Sequence, residues 1–190
     1  MKKLAKFHPL GKMAYRDPAS ALQVMEQALR EGGVVHKRDR TAWEEAQIGF
    51  AFALGLSSRY GQQFGWAAEE LSDFDGVLCW SAEPKVTALG PVQIKTVKRE
   101  GLPGRKSLQE ILDGLEDKYT GSSNLTVLIY LEAGQSFDFF ETKVPKANNL
   151  AGIYVLSHGS GDNEMTLDGD LLDPQAGGTT DFRLDLDAQS

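Results

Sequence analysis

Four residues of this chain have the types and spacing for phosphodiester chemistry: Glu45, Asp75, Gln93 and Lys95. The stretch SDFDGVLCW, followed after a connection by PVQIKTV, reads as two strands, because both are short, apolar and bounded by turn-forming residues. Asp75 then stands at the mouth of one strand, and Gln93 and Lys95 lie within the next. Side chains alternate faces along a strand, so Gln93 and Lys95 point one way while Ile94 points to the opposite, apolar side. A lysine held on a sheet beside a carboxylate is costly unless it has a partner or a task. Phosphodiester hydrolysis supplies one. Carboxylate and carbonyl oxygens hold a divalent cation that polarises the phosphoryl group and activates water, while an ammonium positions that water or offsets developing charge.

The elements that must position these groups are legible around them. PASALQVMEQALRE opens with Pro18, repeats apolar residues at helical spacing through Leu22, Met25 and Leu29, and stops at Gly32 and Gly33, which predicts an amphipathic helix. TAWEEAQIGFAFALGLSSRY predicts a second, central helix, with Thr41 as cap, Glu44 completing a capping-box pattern, and an apolar content that implies burial against a sheet. Glu45 shares a face with Ile48, Gly49, Phe52, Ala53 and Leu56, so it points from the helix start toward the sheet, whereas Glu44 points elsewhere. QQFGWAA, DGVLCWS and PVQIKTV form a meander, with ELSDF as one turn and the longer AEPKVTALG as the other. SLQEILDGLEDKY is a helix with Leu108, Ile111, Leu112 and Leu115 on one side, and NLTVLIYLEA is a buried strand. FDFFETKV and AGIYVLS are two further extended pieces.

The combination resembles the PD-(D/E)XK, or restriction-endonuclease-like, nuclease superfamily. That superfamily has a helix bearing a glutamate, a three-strand meander whose second strand starts at an aspartate and whose third holds (D/E)-x-K, then a helix and a further strand. The matching stretch runs from Thr41 to Ala133: Glu45 matches the helical acid, Asp75 the aspartate, Gln93 the acidic position and Lys95 the lysine. Asp73 is a substitute for Asp75, but Asp75 directly precedes the apolar strand. Phe74 stands where the motif has proline, and Gln93 makes the pattern Q-x-K, a variant familiar among Mrr-like restriction enzymes and related defence nucleases. The resemblance implies an α/β fold with a restriction-endonuclease-like central mixed sheet flanked by helices, in an αβββαβ core. It also implies hydrolysis of DNA with Mg²⁺ or Mn²⁺ held by Glu45, Asp75, Gln93 and the Ile94 carbonyl, with Lys95 assisting the attacking water. Endonuclease action in restriction, defence, repair or a mobile element follows from the same resemblance, as does a homodimer or a larger nuclease complex. The competing expectation is a DNA- or protein-binding module that keeps the fold without catalysis, to which the neutral Gln93 points.

Composition bounds the remainder. A chain of 190 residues with 41% hydrophobic content suits one domain, residues 1–159, followed by an acidic Gly- and Asp-rich tail, 160–190, with no ordered core element beyond a short strand. The net charge of −7 is concentrated in that tail, where eight acids face Arg183 alone. The absence of a long apolar run and of a leader pattern leads to the expectation of a cytoplasmic protein that does not enter membranes. Cys79 is the single cysteine, expected as a buried thiol, so an internal disulfide is excluded. His8, His36 and His158 lack zinc-ligand spacing. GLPGRKS is not a Walker loop, because Arg105 separates Gly104 from Lys106. The phosphate-contacting candidates are Lys37, Arg38 and Arg40 before the central helix, and Lys98, Arg99, Arg105 and Lys106 in the glycine-bearing loop after the motif.

Overall fold

The computed structural model describes residues 16–30, 40–71, 74–84, 86–119, 124–135, 138, 141–146, 149–161, 163–173, 175 and 177–184. The chain is mixed α/β, with elements in the order α1 (Pro18–Arg30), α2 (Arg40–Tyr60), β1 (Phe64–Leu71), β2 (Phe74–Glu83), β3 (Val86–Val97), α3 (Leu108–Lys118), β4 (Leu125–Leu131), β5 (Leu150–His158), β6 (Glu164–Asp168) and β7 (Thr179–Arg183). The strands form one sheet in sequential order. β1, β2 and β3 are an antiparallel meander; β3, β4 and β5 run parallel; β6 and β7 return antiparallel. The parallel step from β3 to β4 needs a crossover, and α3 provides it.

Strand alternation divides the core into two layers. Val92, Ile94, Leu128 and Leu156 face the layer that contains α1 and α2. Val97, Val127, Ile129 and Val155 face the layer that contains α3. α2 is buried almost continuously from Gly49 to Leu56, because the sheet covers one side and Leu22 and Met25 of α1 cover another. The Asp17 carboxylate caps α1 by accepting the Ser20 N–H at 2.9 Å, a bond that lowers its pKa. α3 has a reciprocal capping box between Ser107 and Glu110.

Close packing of α2 on the sheet depends on two glycines and one indole. Trp66 on β1 is fully buried, and a Cβ at either Gly49 of α2 or Gly76 of β2 would come within 2.1 Å of its ring. The ring therefore occupies the space that any side chain at those two positions would need. Farther along α2, Gly55 admits the Phe182 ring of β7 in the same way.

Several sequence expectations change in the structure. α2 already includes Arg40, so Thr41 lies within the first turn and is not the cap; Glu44 instead takes the Arg40 guanidinium at 2.7 Å. The meander hairpin is tighter than AEPKVTALG suggests, because Val86 already pairs with Glu83 and the β-branched Val86 and Thr87 extend the strand. FDFFETKV has no strand among its described residues, where the Thr142 hydroxyl turns back to the Asp138 carbonyl at 2.6 Å. Cys79 is only partly buried, although that burial pushes its thiol pKa up. The acidic segment supplies β6 and β7 and buries Met165, Leu167, Leu171 and Phe182, where composition predicts at most a short strand. Its apolar residues are few but sit at period two in the strands, and several of its acids are absorbed locally. Asp170 accepts the Ile153 and Leu172 amides at 2.9 and 3.0 Å, and Asp168 accepts the Thr179 hydroxyl at 2.6 Å. Among the described residues, no helix is long and apolar enough to cross a membrane.

Two stability measurements check this packing. In an exposed helix, Gly→Ala stabilises by about 1 kcal/mol; Gly49→Ala is expected to destabilise by about 1–3 kcal/mol through overpacking against Trp66, so the sign of the change in urea denaturation is diagnostic. Phe182→Ala is expected to cost about 3 kcal/mol in the same assay. A near-zero effect would show that β7 is not part of the core.

Candidate functional site

Asp75 is the second residue of β2 and lies next to Gly76, which pairs with Val92 on β3. This register sets the Asp75 side chain beside the Gln93–Lys95 stretch. Its Oδ2 accepts the Ile94 backbone N–H at 2.6 Å and also receives the Gln93 side-chain amide. The carboxylate thus takes the place of a ladder partner where β2 is starting. A residue's N–H and C=O leave an extended strand on the same side, so the Ile94 carbonyl is also directed toward the β2 side. Both Asp75 bonds use Oδ2, and none involving Oδ1 is formed within the described residues.

Gln93 and Lys95 occupy the same face of β3, and Ile94 is buried on the other, as alternation requires. Lys95 is half-buried. Burial pushes its ammonium below the usual lysine range, and the neighbouring Lys118 ammonium pushes it further; the Asp75 and Glu45 carboxylates oppose both effects. Glu45 and Asp75 are therefore both within electrostatic reach of Lys95, although Glu45 comes from α2 and Lys95 faces the α3 layer. Glu44 is exposed and Glu45 partly buried, in keeping with the helical-face argument.

The structure adds two residues that the motif omits, both from the end of α3. Lys118 is exposed and within electrostatic reach of Lys95, and its Nζ stands 5.4 Å from the centre of the Tyr119 ring. The Tyr119 hydroxyl is buried and has no hydrogen-bond partner among the described residues. Its pKa is raised by burial and, to a lesser degree, by the Asp75 charge. A signal for Tyr119 was present in the sequence: it follows Leu108, Leu112 and Leu115 at offsets of eleven, seven and four on the sheet-facing stripe of α3. Lys118 had none, because its neighbour Lys95 is distant in sequence.

The basic candidates divide. Lys37 and Arg38 lie outside the described residues, as does Asp73. Arg40 is exposed and paired with Glu44. Lys98, Arg99, Arg105 and Lys106 lie in the loop that leaves β3 just beyond Lys95, at the same end of the strand as the site. Arg99 is tied to Glu132 by its backbone N–H at 3.0 Å, and Arg105 donates to the Lys98 carbonyl and Gln135. Lys98 and Lys106 are exposed. His158 donates to or accepts from the Tyr130 hydroxyl at 2.8 Å.

No protein-family model, curated protein or solved structure matches the chain. Among the described residues, no three His, Cys, Asp or Glu side chains gather as a metal cluster. Soft or zinc-type sites need such a cluster, but Mg²⁺ is commonly held by only one or two carboxylates with substrate phosphates and water. Asp75, Glu45, the Ile94 carbonyl and the Gln93 amide each offer a hard oxygen donor.

The Asp75 contact is testable apart from any activity. Asp75→Ala leaves the buried Ile94 N–H without its acceptor, at a cost of about 1–3 kcal/mol, and faster hydrogen exchange at that amide is expected. Asp75→Asn retains an acceptor oxygen and should lie between. Equal Ile94 exchange in all three proteins would remove Asp75 from this role.

Proposed function

We propose that this chain is a divalent-metal-dependent nuclease that hydrolyses DNA phosphodiesters, with Asp75, Glu45, Gln93 and Lys95 as its working residues. The observation that carries the reading is the convergence on β3: one carboxylate joined to Gln93 and the Ile94 amide, with a half-buried lysine on the same face feeling both Asp75 and Glu45. The order α2, β1, β2, β3, α3, β4 supports the αβββαβ nuclease core.

Asp75, Glu45, the Ile94 carbonyl and the Gln93 amide oxygen would hold Mg²⁺ or Mn²⁺. When bound, the cation supplies Lewis-acid polarisation of the phosphoryl group and acidifies water. Lys95 donates to the attacking water or a phosphoryl oxygen and offsets charge as it builds on phosphorus; in a partly dry site that interaction is stronger than in bulk water. The Ile94 amide fixes Asp75 so that its carboxylate is aligned before substrate arrives. Lys98 and Lys106, exposed on the loop after β3, would contact the phosphate backbone.

One observation favours a non-catalytic binding module as the second reading. Gln93 donates its amide to Asp75, an arrangement that satisfies both groups without any cation. Cleavage of supercoiled and linear DNA in Mg²⁺, Mn²⁺ or EDTA separates the two. The nuclease reading expects metal-dependent cutting that EDTA abolishes and that Asp75→Ala and Lys95→Ala each reduce by about 100-fold or more. DNA binding without cleavage would instead establish the binding module.

A further inference from the structure

The sheet ends in β1 and β7, and the two edges differ. On β1 the backbones of Arg16 and Trp66 exchange bonds at 3.0 and 3.2 Å, and the register against β2 shifts between Ala68 and Leu71. An edge that is partly paired and bulged is a poor template for a further strand. β7 has an unbroken register against β6 and no proline, and no described residue pairs with its outer side.

The hydrogen bonds fix which groups that outer side carries. The Leu184 N–H donates to the Asn163 carbonyl at 2.9 Å, and the Gly169 N–H to the Gly178 carbonyl at 3.2 Å. Along an antiparallel ladder, residues that bond to the partner alternate with residues whose N–H and C=O point away from it. Counted in from either bond, Thr180 and Phe182 bond to β6, whereas Thr179, Asp181 and Arg183 direct their backbone groups outward. The side chains of these three are exposed, on the face opposite the buried Phe182. Both charged ones are already held in place. The Thr166 hydroxyl donates to Asp181 Oδ1 at 2.8 Å, and Arg183 Nε and Nη2 donate to Glu164 Oε1 at 3.3 and 3.0 Å. Asp181 Oδ2 and Arg183 Nη1 form no bond among the described residues.

A second copy of the same edge fits these groups. Antiparallel self-pairing centred on Asp181 would oppose two carboxylates, and centred on Arg183 two guanidinium groups. Centred on Thr180, it would set Asp181 against Thr179, with no cation opposite. Centred on Phe182, it sets Asp181 of each copy directly opposite Arg183 of the other, on one face of the sheet. Both residues belong to the outward set, so in that register their N–H groups also donate to the opposite carbonyls. An edge carrying one sign of charge repels its own copy; opposite signs two positions apart on β7 complement it.

We propose that β7 is a homodimer interface, at which two copies pair antiparallel about a two-fold axis at Phe182, Asp181 of each against Arg183 of the other. Such an interface is isologous, and it joins the two sheets into one. It goes beyond the nuclease reading and holds or fails without it.

The test is sedimentation velocity of the full chain over a concentration series. It compares the wild type, Asp181→Arg, Arg183→Asp and an equimolar mixture of the two variants. The wild type is expected to dimerise as concentration rises. Each charge reversal sets like charges opposite one another and should raise the dimer Kd about tenfold or more. The mixture should dimerise again, because one chain then offers two cations to the two anions of the other. In the wild type alone, hydrogen exchange at the Asp181 and Arg183 amides should slow with concentration, while the Phe182 amide, already bonded to β6, stays constant. If a variant loses its circular dichroism spectrum, the wild-type exchange decides. A wild type that stays monomeric, single variants that dimerise like it, a mixture of folded variants that does not associate, or Asp181 and Arg183 exchange indifferent to concentration overturns the proposal.

Discussion

The Trp66 indole fixes how closely helix and sheet approach, and the candidate site inherits that distance. Its ring fills the space next to Gly49 on α2 and Gly76 on β2. Glu45 is one helical turn before the first glycine, and Asp75 is the residue before the second. Two carboxylates from different layers are thus indexed to one rigid, fully buried side chain. A single indole can serve both because β1 lies at the edge of the meander under the middle of α2. Loosening that contact would move both acids relative to Lys95.

Electrostatics then acts on a prearranged frame. β3 divides its residues strictly: Val92 and Ile94 are committed to the α2 core, which leaves Gln93 and Lys95 to share the other face with the end of α3. Lys95 is too far inside to be fully hydrated, so its environment is decided by a few neighbours. Asp75 is fastened by a backbone amide, which makes it a fixed charge and not a mobile one. The polar groups sit where the meander gives way to the parallel part of the sheet, and the end of the crossover helix comes within electrostatic reach of them.

Much of this was readable from residue order. The Q-x-K alternation followed from strand periodicity, and the preference for Glu45 over Glu44 followed from the helical face; both survive as geometry. What failed did so for local reasons. Thr41 looked like a cap because Glu44 stood three residues on, but an i,i+4 contact with Arg40 uses that glutamate and extends the helix backwards. The acidic segment looked like a tail because charge outnumbers apolar residues there. Met165 and Leu167, at strand spacing, sufficed to seat β6, and Phe182 seated β7. The electrostatic nearness of Lys118 to Lys95 was invisible because it joins elements whose proximity depends on the crossover.

The contact of Phe182 with Gly55 carries a consequence for how the protein is made. α2 lies early in the chain and reaches from the Trp66 contact on β1 to the far edge of the sheet, where its last turns are covered by β6 and β7. During synthesis, the apolar flank of that helix emerges more than a hundred residues before the strand that shields it. Until then the ribosome holds a chain whose central helix has no finished surface for its last turns to rest against. The acids concentrated around β6 and β7 emerge at that late stage, adding negative charge to the chain while the exposed helix is closing.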